Sequence, residues 1–109
     1  MTMEIVRTRV FAKRAKKLLS EDELAAAEQE IVEAPLAWPV IAGTGGARKA
    51  RAARGSSGKS GGARIIYYYV VADEAIFLLD IYAKNAQENI TEASKKVLRE
   101  FVRTLKGDA

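Results

Sequence analysis

Two apolar runs of one kind stand back to back in the second half of the chain, "RIIYYYVVA" (64–72) and "AIFLLDIYA" (75–83). Both are dense in β-branched and aromatic residues, which suit a pleated, half-buried surface. Only Asp73 and Glu74 separate them, so they are expected to pair as an antiparallel hairpin about that dipeptide. Each is apolar on both faces for part of its length, which is the pattern of central strands covered on at least one side. Any fold open to this chain has to be built around that hairpin.

The flanking segments supply layers to cover it. "EIVRTRV" (4–10) alternates as a first strand, and "FAKRAKKLL" then spaces Phe11, Ala15, Leu18 and Leu19 as one side of a helix. Ser20 and Glu23 have the S-x-x-E spacing of a capping box, so a second helix begins there. Its latest end is set by Pro35, because the residue before a proline avoids helical backbone. "APLAWPVIAGTGG" carries both prolines and the only tryptophan and reads as an ordered loop, with Trp38 as a packing anchor or a base-stacking platform. "ARKARAAR" reads as a basic strand whose alternation sends Arg48 to one face and Lys49 and Arg51 to the other. "NITEASKKVLREFVRTL" closes with a helix: Ile90, Val97, Leu98, Phe101, Val102 and Leu105 form its stripe, and Asn89 is a candidate cap. The order β-α-α-β-β-β-α predicts an α+β fold. A small antiparallel sheet would pack against an N-terminal αα-hairpin and a C-terminal helix, in one domain over residues 1–109.

What the chain lacks narrows its chemistry. It has no histidine and no cysteine, so imidazole acid–base catalysis, thiolate metal sites and His-ligated zinc are excluded. A general base has to be a carboxylate, a tyrosine or a lysine. No metal and no cofactor are expected. The absence of cysteine, of an apolar run of about 18 residues and of a secretory leader points to a cytoplasmic protein that does not enter a membrane. The net charge is only +4, but it is unevenly spread. From Ala34 to Ala72 there is no acidic residue, while Arg48, Lys49, Arg51, Arg54, Lys59 and Arg64 all fall there. Such a block reads as a surface for a polyanion.

"RGSSGKSGGAR" (54–64) looks like a phosphate loop, since it contains Gly58-Lys59-Ser60. A Walker A loop needs a glycine where this chain has Ala53, a strand before it and a helix after it. Here a strand follows. The stretch is expected to join two strands instead, with glycines that let the backbone approach a polyanion closely and with Lys59 as a phosphate contact.

Three elements in this order, "GTGGARKAR", "GSSGKSGGARIIYYY" and "LLDIYAKNAQENI", resemble the RelE/HigB branch of the RelE/ParE toxin superfamily, most densely from Pro35 to Thr91. The resemblance implies a microbial-ribonuclease type of fold. It also implies the activity of a type II toxin: cleavage of mRNA in the ribosomal A site, neutralised by a co-encoded antitoxin that would be a helix-turn-helix, HigA-like protein. The ParE branch shares the fold and poisons DNA gyrase without cutting RNA, which is the alternative reading. The family's two basic residues two apart on one strand fall on Lys49 and Arg51, and its arginine opening the next strand falls on Arg64. RelE proper carries an arginine and a tyrosine after the last strand, where this chain reads "AKNAQENIT"; Tyr82 and Lys84 are the nearest substitutes. The implied catalytic set is therefore Arg64, Tyr82, Lys84 and Lys49, with Arg48, Arg51, Arg54 and Lys59 binding RNA phosphates. With a two-residue turn at Asp73-Glu74, Tyr82 would lie opposite Ile65 and away from Arg64. A loop longer or shorter by one residue would bring Tyr82, Lys84 and Arg64 to one face.

Overall fold

The computed structural model describes residues 3–55, 62–84 and 90–107. Among these residues the chain forms β1 (Glu4–Arg7), α1 (Arg9–Leu18), α2 (Glu21–Glu33), β2 (Arg48–Ala52), β3 (Ala63–Val70), β4 (Ala75–Ala83) and α3 (Glu92–Leu105). The order along the sheet is β1-β4-β3-β2, so the two apolar runs occupy its centre. The α+β architecture is the expected one. Its sheet is mixed, however, because β1 runs parallel to β4 while β2, β3 and β4 are antiparallel. A parallel neighbour needs a crossover rather than a hairpin, and everything from Thr8 to Glu74 lies between those two strands.

Local chemistry sets the element ends. The first strand stops at Arg7 and not at Val10, because Thr8 caps α1: its Oγ1 accepts from the Phe11 amide and donates to the Leu78 carbonyl at 2.8 Å. One hydroxyl thus starts a helix and fastens it to β4. At α2 the capping box is complete. Ser20 accepts from the Glu23 amide at 3.1 Å, and Glu23 accepts from the Ser20 amide at 2.8 Å. The cap of α3 is Thr91, which accepts from the Ser94 amide; Asn89 lies outside the described residues.

The sheet has a core on each face. On one, Phe11, Ala15, Leu24 and Ile31 of the helical hairpin pack on Ala50, Ile65, Tyr67, Leu78 and Ile81. On the other, Leu98 and Val102 of α3 cover Ala47, Ile66, Leu79 and Tyr82. Val97 and Phe101, expected on the same stripe, stay exposed at its margin. Arg7 and Glu28 form a two-toothed ion pair (2.7 and 3.0 Å) that ties β1 to α2.

Between α2 and β2 the loop is ordered by its own hydrogen bonds. Its backbone pairs with β2 through Ile41 N–H to the Ala47 carbonyl and Lys49 N–H to the Pro39 carbonyl. Trp38 is half-buried against the first core, as a packing anchor would be.

Candidate active site

Whether Arg64 and Tyr82 share a face depends on the pairing of β3 with β4, and one residue decides it. The connection is four residues long, not two. A 3-10 turn over Val71–Asp73 is closed by the Glu74 amide donating to the Val71 carbonyl, with Glu74 in the left-handed region (φ 50°). Val70 therefore faces Ala75, and that register runs to Tyr67 opposite Leu78. It then shifts, so that Ile66 faces Asp80 and Leu79 is the extra residue of a β-bulge. Turn and bulge together move the pairing by one residue from the two-residue-turn alternative, and Arg64 lies directly opposite Tyr82.

On its other side Arg64 faces Arg51 of β2. Arg51, Arg64 and Tyr82 thus form one row across three strands, within about 10 Å given the usual spacing between strands. Lys49 is two residues before Arg51 and so on the same face. Lys84 stands just past the end of β4, exposed, with its amide donating to the Gly62 carbonyl at 3.0 Å. Two arginines directly opposite one another repel and work against the sheet. Among the described residues neither Lys49 nor Arg51 is paired with a carboxylate. The Arg51 guanidinium lies 5.9 Å from the centre of the Trp38 ring. A fold that places like charges in register has a local conflict, and such conflicts concentrate at functional sites.

Tyr82 is buried, and its hydroxyl has no hydrogen-bond partner among the described residues. Burial pushes this phenol above its ordinary value, opposed by the Arg64 guanidinium and reinforced by Asp80. It is therefore a protonated hydroxyl beside an arginine, better suited to donating a proton than to accepting one. Asp80 itself is held by Arg14 of α1 at 2.7 Å.

The remaining basic residues lie elsewhere. Arg48 faces the opposite side from Arg51 and donates to the carbonyls of Leu36 (3.1 Å) and Trp38 (2.6 Å), which binds the loop to β2. Arg54 donates to the Leu18 carbonyl at 3.1 Å, joining the exit of β2 to the turn of the helical hairpin. Neither joins the row. Lys59 and the Gly58-Lys59-Ser60 triplet lie outside the described residues. Strands, not a strand and a helix, stand on the two sides of that stretch. The bulge at Leu79, on which the row depends, had no signal in the sequence, where Leu79 and Asp80 continue an ordinary strand pattern.

The fold has relatives. The chain matches the family model described as the RelE toxin of the RelE/RelB toxin–antitoxin system over residues 3–108. Its fold is similar to a free E. coli RelE toxin mutant, with a TM-score of 0.63 and 23% identity, covering 90% of this chain and 100% of that one. An isolated E. coli RelE gives a TM-score of 0.59 at 16% identity, covering 92% and 99% of the two chains. A chain of the intact E. coli RelBE toxin–antitoxin complex gives 0.58 at 20% identity, with 75% and 96% covered. With the family model matched along nearly its whole length, the chain belongs to the RelE toxins of RelE/RelB toxin–antitoxin systems.

Proposed function

We propose that this protein is a ribosome-dependent mRNA endoribonuclease that acts in the cytoplasm, cuts at A-site codons and is held in check by a co-encoded antitoxin. The observation that carries the reading is the row Arg51–Arg64–Tyr82, with Lys49 and Lys84 at its margins. RNA cleavage of this kind turns the ribose 2′-hydroxyl against the neighbouring phosphorus. The P–O5′ bond breaks, a 2′,3′-cyclic phosphate forms and the 5′-oxygen leaves with a proton. Arg64 and Arg51 neutralise the charge that builds on the phosphorane oxygens. Tyr82, kept protonated by burial, donates to the departing 5′-oxygen once the bound RNA uncovers its hydroxyl, Lys49 adds its positive charge beside the phosphate, and the amine of Lys84 takes the 2′ proton.

The row runs from Arg51, exposed on the edge strand, to Tyr82, buried under α3, so an RNA has to be held in position against it by a second body. The ribosome, with mRNA in its A site, supplies that orientation. The E. coli RelBE complex supports an antitoxin as partner, and a HigA-like helix-turn-helix protein is the expected kind.

Primer extension on an mRNA under translation, with and without this protein and beside the same RNA free of ribosomes, tests the reading. Cuts confined to A-site codons in the ribosome-containing lane are expected. Intact RNA in both lanes with undisturbed translation, together with inhibited gyrase supercoiling, would replace the nuclease by a ParE-like gyrase poison.

A further inference from the structure

Beside the row, on the same side of the sheet, a groove of about 400 Å³ opens between residues 39–42, β2 and the start of α3. Val40, Ile41 and Ile90 give it apolar walls, and Lys49 and Lys95 contribute its cations. Its shape is fixed from behind. Arg99 donates to the Gly43 carbonyl at 2.8 Å, clamping the loop to α3. Thr44, fully buried, donates to the Ile41 carbonyl at 2.7 Å and accepts from the Ala47 amide at 3.1 Å. The stem of Lys95 lies over Gly43, which has φ +82°; a Cβ there would sit 3.5 Å from the lysine Cδ. Lys95 is thus held at the groove, and among the described residues its ammonium makes a 3.5 Å pair with the largely exposed Glu92. Such a surface pair contributes little.

We propose that this groove holds the nucleotide next to the scissile one, with its base against Val40, Ile41 and Ile90 and a phosphate between Lys49 and Lys95. The inference rests on the nuclease reading above and deepens it. Lys49 belongs to both places: it is a groove residue and lies two positions before Arg51, about 7 Å along the strand. That step is comparable to one nucleotide of an extended backbone, so Arg51 meets one phosphate and Lys49 and Lys95 together meet the next. The volume lies at the lower end of the range for small-ligand sites and accommodates one nucleoside. An acidic protein segment would also meet the two lysines, but the continuity of the groove with the row through Lys49 favours the RNA.

The test is equilibrium binding of a single-stranded RNA dodecamer with 2′-O-methyl riboses, which cannot be cut, over a salt series. The wild type, Lys95→Met and Ala42→Glu are compared, with thermal melts to confirm folding and with the cleavage assay run in parallel. Met keeps the stem that packs on Gly43, and Ala42 is an exposed groove residue. Lys95→Met is expected to flatten the slope of log K against log salt by about 0.7, the loss of one phosphate contact to a single strand. Ala42→Glu is expected to weaken binding further. Unchanged affinity and slope in both folded variants overturns the groove, and leaves the nuclease reading standing if the wild type cuts. A wild type that binds the dodecamer through Lys95 and cuts nothing removes the nuclease and with it the place next to a scissile nucleotide, and leaves the groove a site for single-stranded RNA only. A wild type with no affinity for the RNA overturns the groove. So does an oligoglutamate peptide that loses binding in Lys95→Met while RNA binding is unaltered, because the groove then belongs to an acidic protein partner.

Discussion

The hydroxyl of Tyr82 is buried with no hydrogen-bond partner among the described residues, an arrangement that costs a fold about 1–3 kcal/mol. Tyr82→Phe should therefore leave the melting midpoint unchanged or raise it. If the phenol donates to the leaving oxygen, the same substitution lowers the cleavage rate about 10²–10⁴-fold. A Phe variant that cuts at the wild-type rate would make Tyr82 a packing residue only. Burial raises this phenol above its ordinary 10.0, so the protonated donor persists through neutral and mildly alkaline pH. Any alkaline loss of activity that Tyr82 causes begins above that value and disappears in the Phe variant. Arg64 gives the complementary case. Arg64→Ala removes one member of a repelling pair, so its melting point is expected to stay within a few degrees of wild type while cleavage falls by about 10² or more. Undiminished growth arrest by a folded Arg64→Ala protein would dismiss the phosphate assignment.

At the scale of elements, Tyr67 links the centre of the sheet to the loop that borders the groove. It is fully buried on β3, and its hydroxyl donates to the Pro35 carbonyl at 2.7 Å. Burial pushes this phenol up to about 12, opposed by Arg48. A raised value in the folded state means the contribution to stability is complete below the ordinary 10.0 and is lost as pH rises through about 12. Tyr67→Phe is expected to reduce stability near neutral pH by about 1 kcal/mol. It should also remove its share of the alkaline decline, both read from denaturant midpoints across that range. An alkaline decline identical in the two proteins would assign the loss to other groups. The elements show where the sequence is informative. Capping at Ser20 and Glu23, the central hairpin and the ordered 35–46 loop were legible because each depends on neighbours in the chain or on a dense apolar run. The alignment of Arg64 with Tyr82 was not, since it depends on a four-residue turn and on Leu79 standing outside the pairing, and neither carries a marker residue. The parallel partnership of β1 with β4 joins segments about seventy positions apart, and no local pattern records it. Charge counting placed Arg48 and Arg54 in the basic block but could not see that folding would bring carbonyl oxygens to both of them.

In the whole molecule, the row lies over the α3 side of the sheet, while the helical hairpin on the other side controls how the chain leaves β2. Glu23 makes that connection. One of its carboxylate oxygens accepts from the Ser20 amide inside the capping box, and the other accepts from the Gly55 amide just beyond β2. Arg54 adds its bond to the Leu18 carbonyl, so the turn between α1 and α2 grips the chain three residues past Arg51. The Ser20 amide first and the Gly55 amide next hold the Glu23 carboxyl below its ordinary 4.5. Because the folded value is lowered, this stabilisation is complete above the unfolded value and disappears as pH falls through the folded one. Glu23→Gln keeps an acceptor for Ser20, as a capping box with glutamine does, but presents an amide where Gly55 needs an oxygen. Its melting midpoint should consequently lie below that of the wild type at neutral pH, and the two should converge as the solution is acidified through the carboxylate range. RNA cleavage at neutral pH should fall with it, since Arg51 is no longer anchored from behind. A neutral-pH loss of stability with cleavage unchanged would confine Glu23 to the helix cap. Parallel melting curves at every pH would show that the grip on Gly55 does not depend on the charge. The expected convergence, accompanied by the loss of cleavage, would establish that the helical hairpin on one face of the sheet holds the basic strand in place for chemistry on the other.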